Sequence, residues 1–146
     1  AGFEQLAQMI REARESHPGD PVSQLRDAGI AYVMWATDNP ERTRLMFGGM
    51  MKSDDIDETL HETAEAAYAE IYQIIDEGRQ SCVFAGPSTE AVVLSCWASV
   101  HGLTMLILGT RKLSPQTKEE IRSLAALVCD TILAGIAARK RESQLP

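Results

Sequence analysis

The chain has few aromatic residues, few cysteines and no excess of positive charge. Phe, Trp and Tyr make up 5% of its 146 residues, so aliphatic side chains and methionine have to fill most of the core. The three cysteines are an odd set without paired spacing, which is typical of a reducing compartment. The net charge of −7 repels phosphate backbones, because nucleic-acid affinity depends on cations that displace condensed counterions. We therefore expect a cytoplasmic protein whose chain does not by itself bind duplex DNA.

Helical signals account for nearly the whole sequence and predict an all-α fold, a bundle of about six helices. The first is predicted over residues 2–16, the second from 21, the third from 40 to 47, and the fourth from 56 to about 77. Proline after Asp20 and Asn39, and Gly86-Pro87-Ser88, are typical helix starts, and Ser114-Pro115 is expected to open the sixth helix. Asp54 or Asp55 is the predicted cap of the fourth helix, and Gly78 its predicted end. Residues 81–85 are too few to predict a sheet.

The fifth predicted helix carries no charge from residue 91 to residue 108. A helix that is apolar all round is buried all round, and a small domain seldom covers such a helix with its own chain. One face is therefore expected to meet a second copy of the chain. The stripe of small residues on this helix and the apolar end of the sixth helix form the predicted homodimer interface: Ala91, Ser95, Ala98, Gly102, Met105, Val128, Ile132, Gly135 and Ile136.

The same apolar run is close to the minimum length of a membrane span. Polar residues interrupt it at four positions: Ser95, Ser99, His101 and Thr104. It also lacks a basic flank before it. The sequence therefore favours a buried helix in a soluble protein and predicts no membrane partner and no signal peptide.

No constellation of residues favours catalysis or a metal. Glu58 and His61 form a Glu-x-x-His pair of the kind that di-iron bundles use twice, but a second copy and further carboxylates are missing. His61 and Glu65 could supply two ligands of a metal site, and nothing points to a third. Cys96 lies close to His101 along one helix, where neither an orienting acid nor a strained turn activates a nucleophile. We expect no enzyme activity, no metal and no cofactor.

The best candidate for function is the pair Trp97 and His101. Two interpretations stay open: the pair packs in the core, or it forms the wall and polar anchor of a ligand cavity. Methionines and polar-tipped aromatic residues on the second to fifth helices favour the cavity, because they suit an apolar pocket that adapts to its ligand. The predicted walls, expected to bind a small hydrophobic or amphipathic molecule, are Met34, Trp35, Met46, Phe47, Tyr68, Tyr72, Trp97 and His101.

Two segments resemble tetracycline-repressor-like (TetR) transcriptional regulators. The first comprises Ala31-Tyr32-Val33, Asn39-Pro40-Glu41-Arg42 and Arg44-Leu45-Met46-Phe47. The second, Trp97-Ala98-Ser99-Val100-His101-Gly102-Leu103, resembles the Trp-x-x-x-His-Gly motif of one class of their C-terminal domains. The resemblance covers nearly the whole chain.

The resemblance implies that residues 1–146 are one effector-binding and dimerisation domain. Its last two long helices would form a four-helix bundle with those of the partner. An effector in the core would move the first helix, change the separation of two DNA-reading heads and release the operator. The helix-turn-helix head of about fifty residues is expected before this chain. The alternative is a stand-alone helical binding or structural module with no DNA partner.

Overall fold

The computed structural model describes residues 2–47, 58–109 and 117–139, and all regular elements in these ranges are helices. The prediction of an all-α fold of six helices is confirmed. The helices are α1 (Gly2–Ser16), α2 (Pro21–Asp38), α3 (Pro40–Phe47), α4 (Glu58–Gln80), α5 (Thr89–Gly109) and α6 (Lys118–Ile136).

Three helix starts follow from local capping chemistry. The Asp20 carboxylate accepts a hydrogen bond from the Ser23 amide at 3.1 Å, and a proline follows it at the first helical position. The Ser88 hydroxyl accepts one from the Ala91 amide at the start of α5, also at 3.1 Å. Thr117 caps α6. The predicted caps at 54–55 and the predicted start at 114–115 lie outside the described residues.

The predicted end of α4 at Gly78 is wrong, because the helix continues to Gln80. The Cys82 and Val83 amides then bond back to the last turn of the helix, and Cys82 adopts a left-handed φ of 61°. This is the pattern of a Schellman cap with cysteine where glycine is usual. Gly78 lies inside the helix, where the absence of a side chain lets the Phe84 ring pack directly against the backbone.

Helix α2 lies at the centre of the fold and contacts the other five helices. Its residues Ala28, Val33 and Ala36 are completely buried. Helix α2 packs closely against α6 at Gly29, where a Cβ atom would lie 2.6 Å from the Sγ atom of Cys129. Glycine is therefore needed at this crossing, and α2 connects α1 on one side with α5 and α6 on the other.

Helix α1 is held against α2 and α4 by polar contacts as well as by packing. The buried Gln24 amide donates to the carbonyls of Arg14 and His17, which satisfies acceptors at the end of α1. On α4, Glu70 accepts a 3.0 Å hydrogen bond from each of two α1 side chains, Arg11 and Arg14. These contacts fix the position of α1 along α4.

The connection between α4 and α5 binds the end of α6 through the backbone. The Ala85 amide donates to the Ile136 carbonyl at 2.8 Å, and the Ala138 amide donates to the Val83 carbonyl at 3.0 Å. The two segments form one antiparallel bridge around the buried Phe84, without a strand in the described residues. The last turn of α6 is therefore attached to the rest of the fold.

Candidate functional site

A cavity of about 160 Å³ lies between five of the helices. The small side chains of α2 and α4 on its walls leave this space, and larger apolar side chains surround it. None of the lining residues in the described part of the chain is charged. They are Leu6, Ile10, Leu25, Ala28, Gly29, Tyr32, Ala67, Tyr68, Ile71, Val93, Cys96, Trp97, Val100, Cys129, Ile132 and Leu133.

Two of the predicted ligand residues, Tyr68 on α4 and Trp97 on α5, line this cavity. Their exposed fractions are 46% and 42%, so they also reach the solvent and mark an entrance between α4 and α5. The Trp97 ring lies 6.1 Å from the His101 ring, centroid to centroid. His101 itself is half-buried behind Trp97 and does not form part of the lining.

The polar group at the cavity wall is centred on Tyr32. Its hydroxyl lies 2.9 Å from His101 Nδ1 and also forms a hydrogen bond with the Trp97 side chain. Burial raises the pKa of Tyr32 to about 12, and the contact with Trp97 opposes this shift. Burial lowers the pKa of His101, so the ring is neutral at pH 7. A neutral ring can accept a hydrogen bond from the Tyr32 hydroxyl at Nδ1. The indole N–H of Trp97 can only donate, so it donates to the oxygen of the same hydroxyl.

The cavity wall also contains two thiols, those of Cys96 and Cys129. Both are free and buried, and burial raises the pKa of each to about 11. At neutral pH they are protonated and therefore weak nucleophiles. No group of three or more His, Cys, Asp or Glu residues in the described ranges could hold a metal ion. The chemistry of the wall suits binding by apolar contact.

Three more of the predicted ligand residues, Met34, Trp35 and Tyr72, do not line the cavity. Trp35 is 3% exposed and packs in the core, and Met34 is half-buried against the core. The Tyr72 hydroxyl donates to a glutamate at the start of α5, at 3.1 Å. The side chains of Met46 and Phe47 lie outside the described part of the structure. The cavity thus involves α1 and α6, which the sequence interpretation did not include.

Sequence reasoning missed Tyr32 and the cavity face of α1. The signal was present, because Leu25, Gly29 and Tyr32 share one stripe of α2 and all three line the cavity. On α1, Leu6 and Ile10 are 3% and 2% exposed and complete the wall. Helical periodicity marks these residues as buried, but it does not distinguish a cavity wall from a filled core.

The residues of the predicted dimer interface differ in exposure. On α5, Ser95 and Ala98 are exposed, whereas Ala91, Gly102 and Met105 are half-buried. All five lie along one side of the helix. The predicted stripe on α5 therefore borders the surface of the single chain.

On α6 the predicted interface residues lie nearer the interior. Gly135 is exposed, but Val128 and Ile136 are partly buried against the core, and Ile132 lines the cavity. The most exposed apolar side chain of α6 is Leu127, at 63%, which the sequence interpretation did not name.

Two exposed leucines on α5 extend the apolar surface. Leu94 is 62% exposed and Leu106 is 48% exposed. By length and composition alone, α5 is long and apolar enough to cross a membrane. We call the exposed apolar residues Leu94, Ala98 and Leu106 of α5, together with Leu127 of α6, the apolar face.

The structure is thus a helical domain with an internal cavity and with exposed leucines on α5 and α6. The family described as "Tetracyclin repressor-like, C-terminal domain" matches residues 25–138, and the chain belongs to this family. The family is one of regulatory domains, which agrees with the resemblance found in the sequence. No curated protein sequence matches the chain.

Two solved structures have a similar fold. A protein of unknown function from Rhodococcus sp. RHA1 superposes with a TM-score of 0.76 at 22% identity, over 93% of this chain and 68% of its own. A bacterial regulatory protein in the TetR family from Rhodococcus RHA1 gives a TM-score of 0.70 at 17% identity, over 95% of this chain and 70% of its own. At these identities the likeness shows the fold.

Proposed function

We propose that this chain is the effector-sensing and homodimerisation domain of a cytoplasmic TetR-like transcriptional regulator, of the repressor type. The observation that carries the proposal is the cavity, whose wall includes both α1 and α6. DNA contact falls to a helix-turn-helix head before α1, as the family resemblance implies. A small hydrophobic or amphipathic effector controls that head from a distance, and the domain itself is not an enzyme.

The contacts of α1 explain how an effector would act. Leu6 and Ile10 face the cavity, while Arg11 and Arg14 on the same helix bind Glu70 of α4. A ligand that presses on the two apolar residues shifts α1 against its ion pairs. The ligand changes DNA affinity only if it binds one position of α1 better than the other. Its affinity comes mainly from buried apolar area, about 25 cal/mol per Å².

Hydrogen exchange, measured by mass spectrometry, tests the sensing step. Compounds that raise the melting temperature in a varied hydrophobic library would be added to the chain, and amide exchange in α1 compared with and without them. We expect binding to change the protection of α1, with the end of α4 as an internal reference. Binding that leaves α1 unchanged would contradict the mechanism, and the absence of any binder would contradict the sensing function.

The apolar face supports the homodimer. Leu94 and Leu127 leave more than 60% of their surface in solvent in the single chain. An apolar patch that combines two helices is typical of a subunit interface. Two copies of α5 and α6 packed face to face would bury these leucines, with Ala98 and Gly102 allowing the helices to approach closely.

Sedimentation of matched variants tests the dimer. Leu127→Lys places a charge in the apolar face and should shift the dimer towards monomer at micromolar concentration. Val22→Lys makes the same kind of change at a position on α2 that is 41% exposed, away from this face, and should leave the dimer intact. A monodisperse wild-type monomer, or equal effects of the two substitutions, would contradict the proposed interface.

A further inference from the structure

We propose that the effector is an uncharged, compact apolar molecule about the size of a substituted benzene ring. This inference rests on the proposed sensing function and narrows it to a chemical class. It depends on two properties of the cavity, the absence of charge among the lining residues that the structure describes and its volume, and on the small residues that create that volume.

The charge argument starts from the polar groups at the wall. The Tyr32 hydroxyl bonds to His101 and Trp97, and the two thiols are protonated. Two charged side chains of α1, Arg11 and Arg14, bind Glu70 outside the lining. A carboxylate or ammonium group in the cavity would lose its hydration without gaining an opposite charge. Burial of such a group is strongly unfavourable, so the cavity selects against ionised ligands.

The size argument follows from the volume of about 160 Å³. An engineered apolar cavity of about 150 Å³ in another protein stays dry and binds benzene. Protein interiors are close-packed, so a much longer or polycyclic molecule needs side chains to move apart. The cavity therefore suits one ring with one or two small substituents.

Small side chains on the walls create the cavity, so a larger side chain at one of these positions should fill it. Ala67 on α4 lines the cavity and is 7% exposed, whereas the adjacent Ala66 is exposed to solvent and does not line it. Ala67→Leu adds three carbon atoms to the cavity wall. Ala66→Leu adds the same three atoms at the surface and is the matched control.

The test is a set of para-substituted ligands with the intact 146-residue chain. The neutral probe is p-cresol, the charged analogues are 4-methylbenzoate and 4-methylbenzylamine, and the larger neutral probe is 4-phenylphenol. Affinities come from calorimetry, supported by the ligand dependence of the melting temperature. We expect saturable binding of p-cresol, binding at least about a hundredfold weaker for both ions, and at least about tenfold weaker for 4-phenylphenol.

The variants and the possible outcomes separate the two proposals. Ala67→Leu should abolish p-cresol binding, and Ala66→Leu should retain it. If Ala67→Leu does not fold, the ligand series on the wild-type chain still decides the question. Equal or tighter binding of an ion or of 4-phenylphenol would overturn the effector class and leave the sensing function standing. Failure of these probes and of the varied hydrophobic library would overturn the sensing function itself.

Discussion

The substitution Tyr32→Phe tests the hydrogen-bonded group at the cavity wall. It removes one oxygen atom and preserves the ring that packs between α2 and α5. Tyr32 is 6% exposed, and its hydroxyl is the partner of both His101 Nδ1, at 2.9 Å, and Trp97. Leaving a buried donor or acceptor unsatisfied costs about 1–3 kcal/mol. Because His101 and Trp97 are partly exposed and water can reach them, we expect a loss of about 1–2 kcal/mol in unfolding free energy.

Urea denaturation at one fixed protein concentration measures this loss, since a dimer's stability depends on concentration. Tyr68→Phe is the matched control, because it removes the same atom from a cavity-lining tyrosine that is 46% exposed. We expect a change of less than about 0.5 kcal/mol for the control. Equal losses for the two variants, or no loss for Tyr32→Phe, would refute the argument that the buried hydroxyl organises this wall.

Three further substitutions test other parts of the structure. Gly78→Ala places a methyl group in steric overlap with the Phe84 ring. It should lower the unfolding free energy, measured in urea, by about 1–2 kcal/mol despite the better helix propensity of alanine. An increase in the unfolding free energy would contradict this packing. Cys82→Gly relieves a left-handed φ of 61° and should raise the same quantity by about 0.5–1 kcal/mol. Burial lowers the pKa of His101 below 6.5. As the pH falls, the unfolded chain is therefore protonated at this histidine before the folded chain is, and the unfolding free energy decreases as the pH drops through 6.5. In thermal melts between pH 7.5 and pH 5.5, His101→Asn should lose less stability than the wild type, and an unchanged pH dependence would exclude this role.

Local sequence signals predicted the helices well, because capping depends on neighbouring residues. Asp20 before a proline and Ser88 before α5 act through amides three positions away, which any reader of the sequence can locate. The end of α4 could not be found in this way. Gly78 is the usual type of residue at a helix end, and what keeps it inside the helix is its contact with Phe84. That contact depends on where the following chain returns.

The candidate site was harder to predict because periodicity identifies buried stripes but not their neighbours. Tyr68 and Trp97 were named as ligand residues and line the cavity, whereas Tyr32 also lines it and was not named. Ile132 was predicted for the dimer interface, and the structure places it in the cavity wall as well. A helix that is apolar on several sides gives no sign of which side meets which partner. Only the packing of α2 between α1 and α6 decides this.

The backbone bridge at Phe84 has a consequence for how the domain opens. Helix ends normally fray at little free-energy cost, and such fraying stays local. Here the last turn of α6 is hydrogen-bonded to a segment some fifty residues earlier in the chain, so it opens only when that long loop opens as well. The ends of α4 and α6 and the beginning of α5 therefore belong to one cooperative unfolding unit.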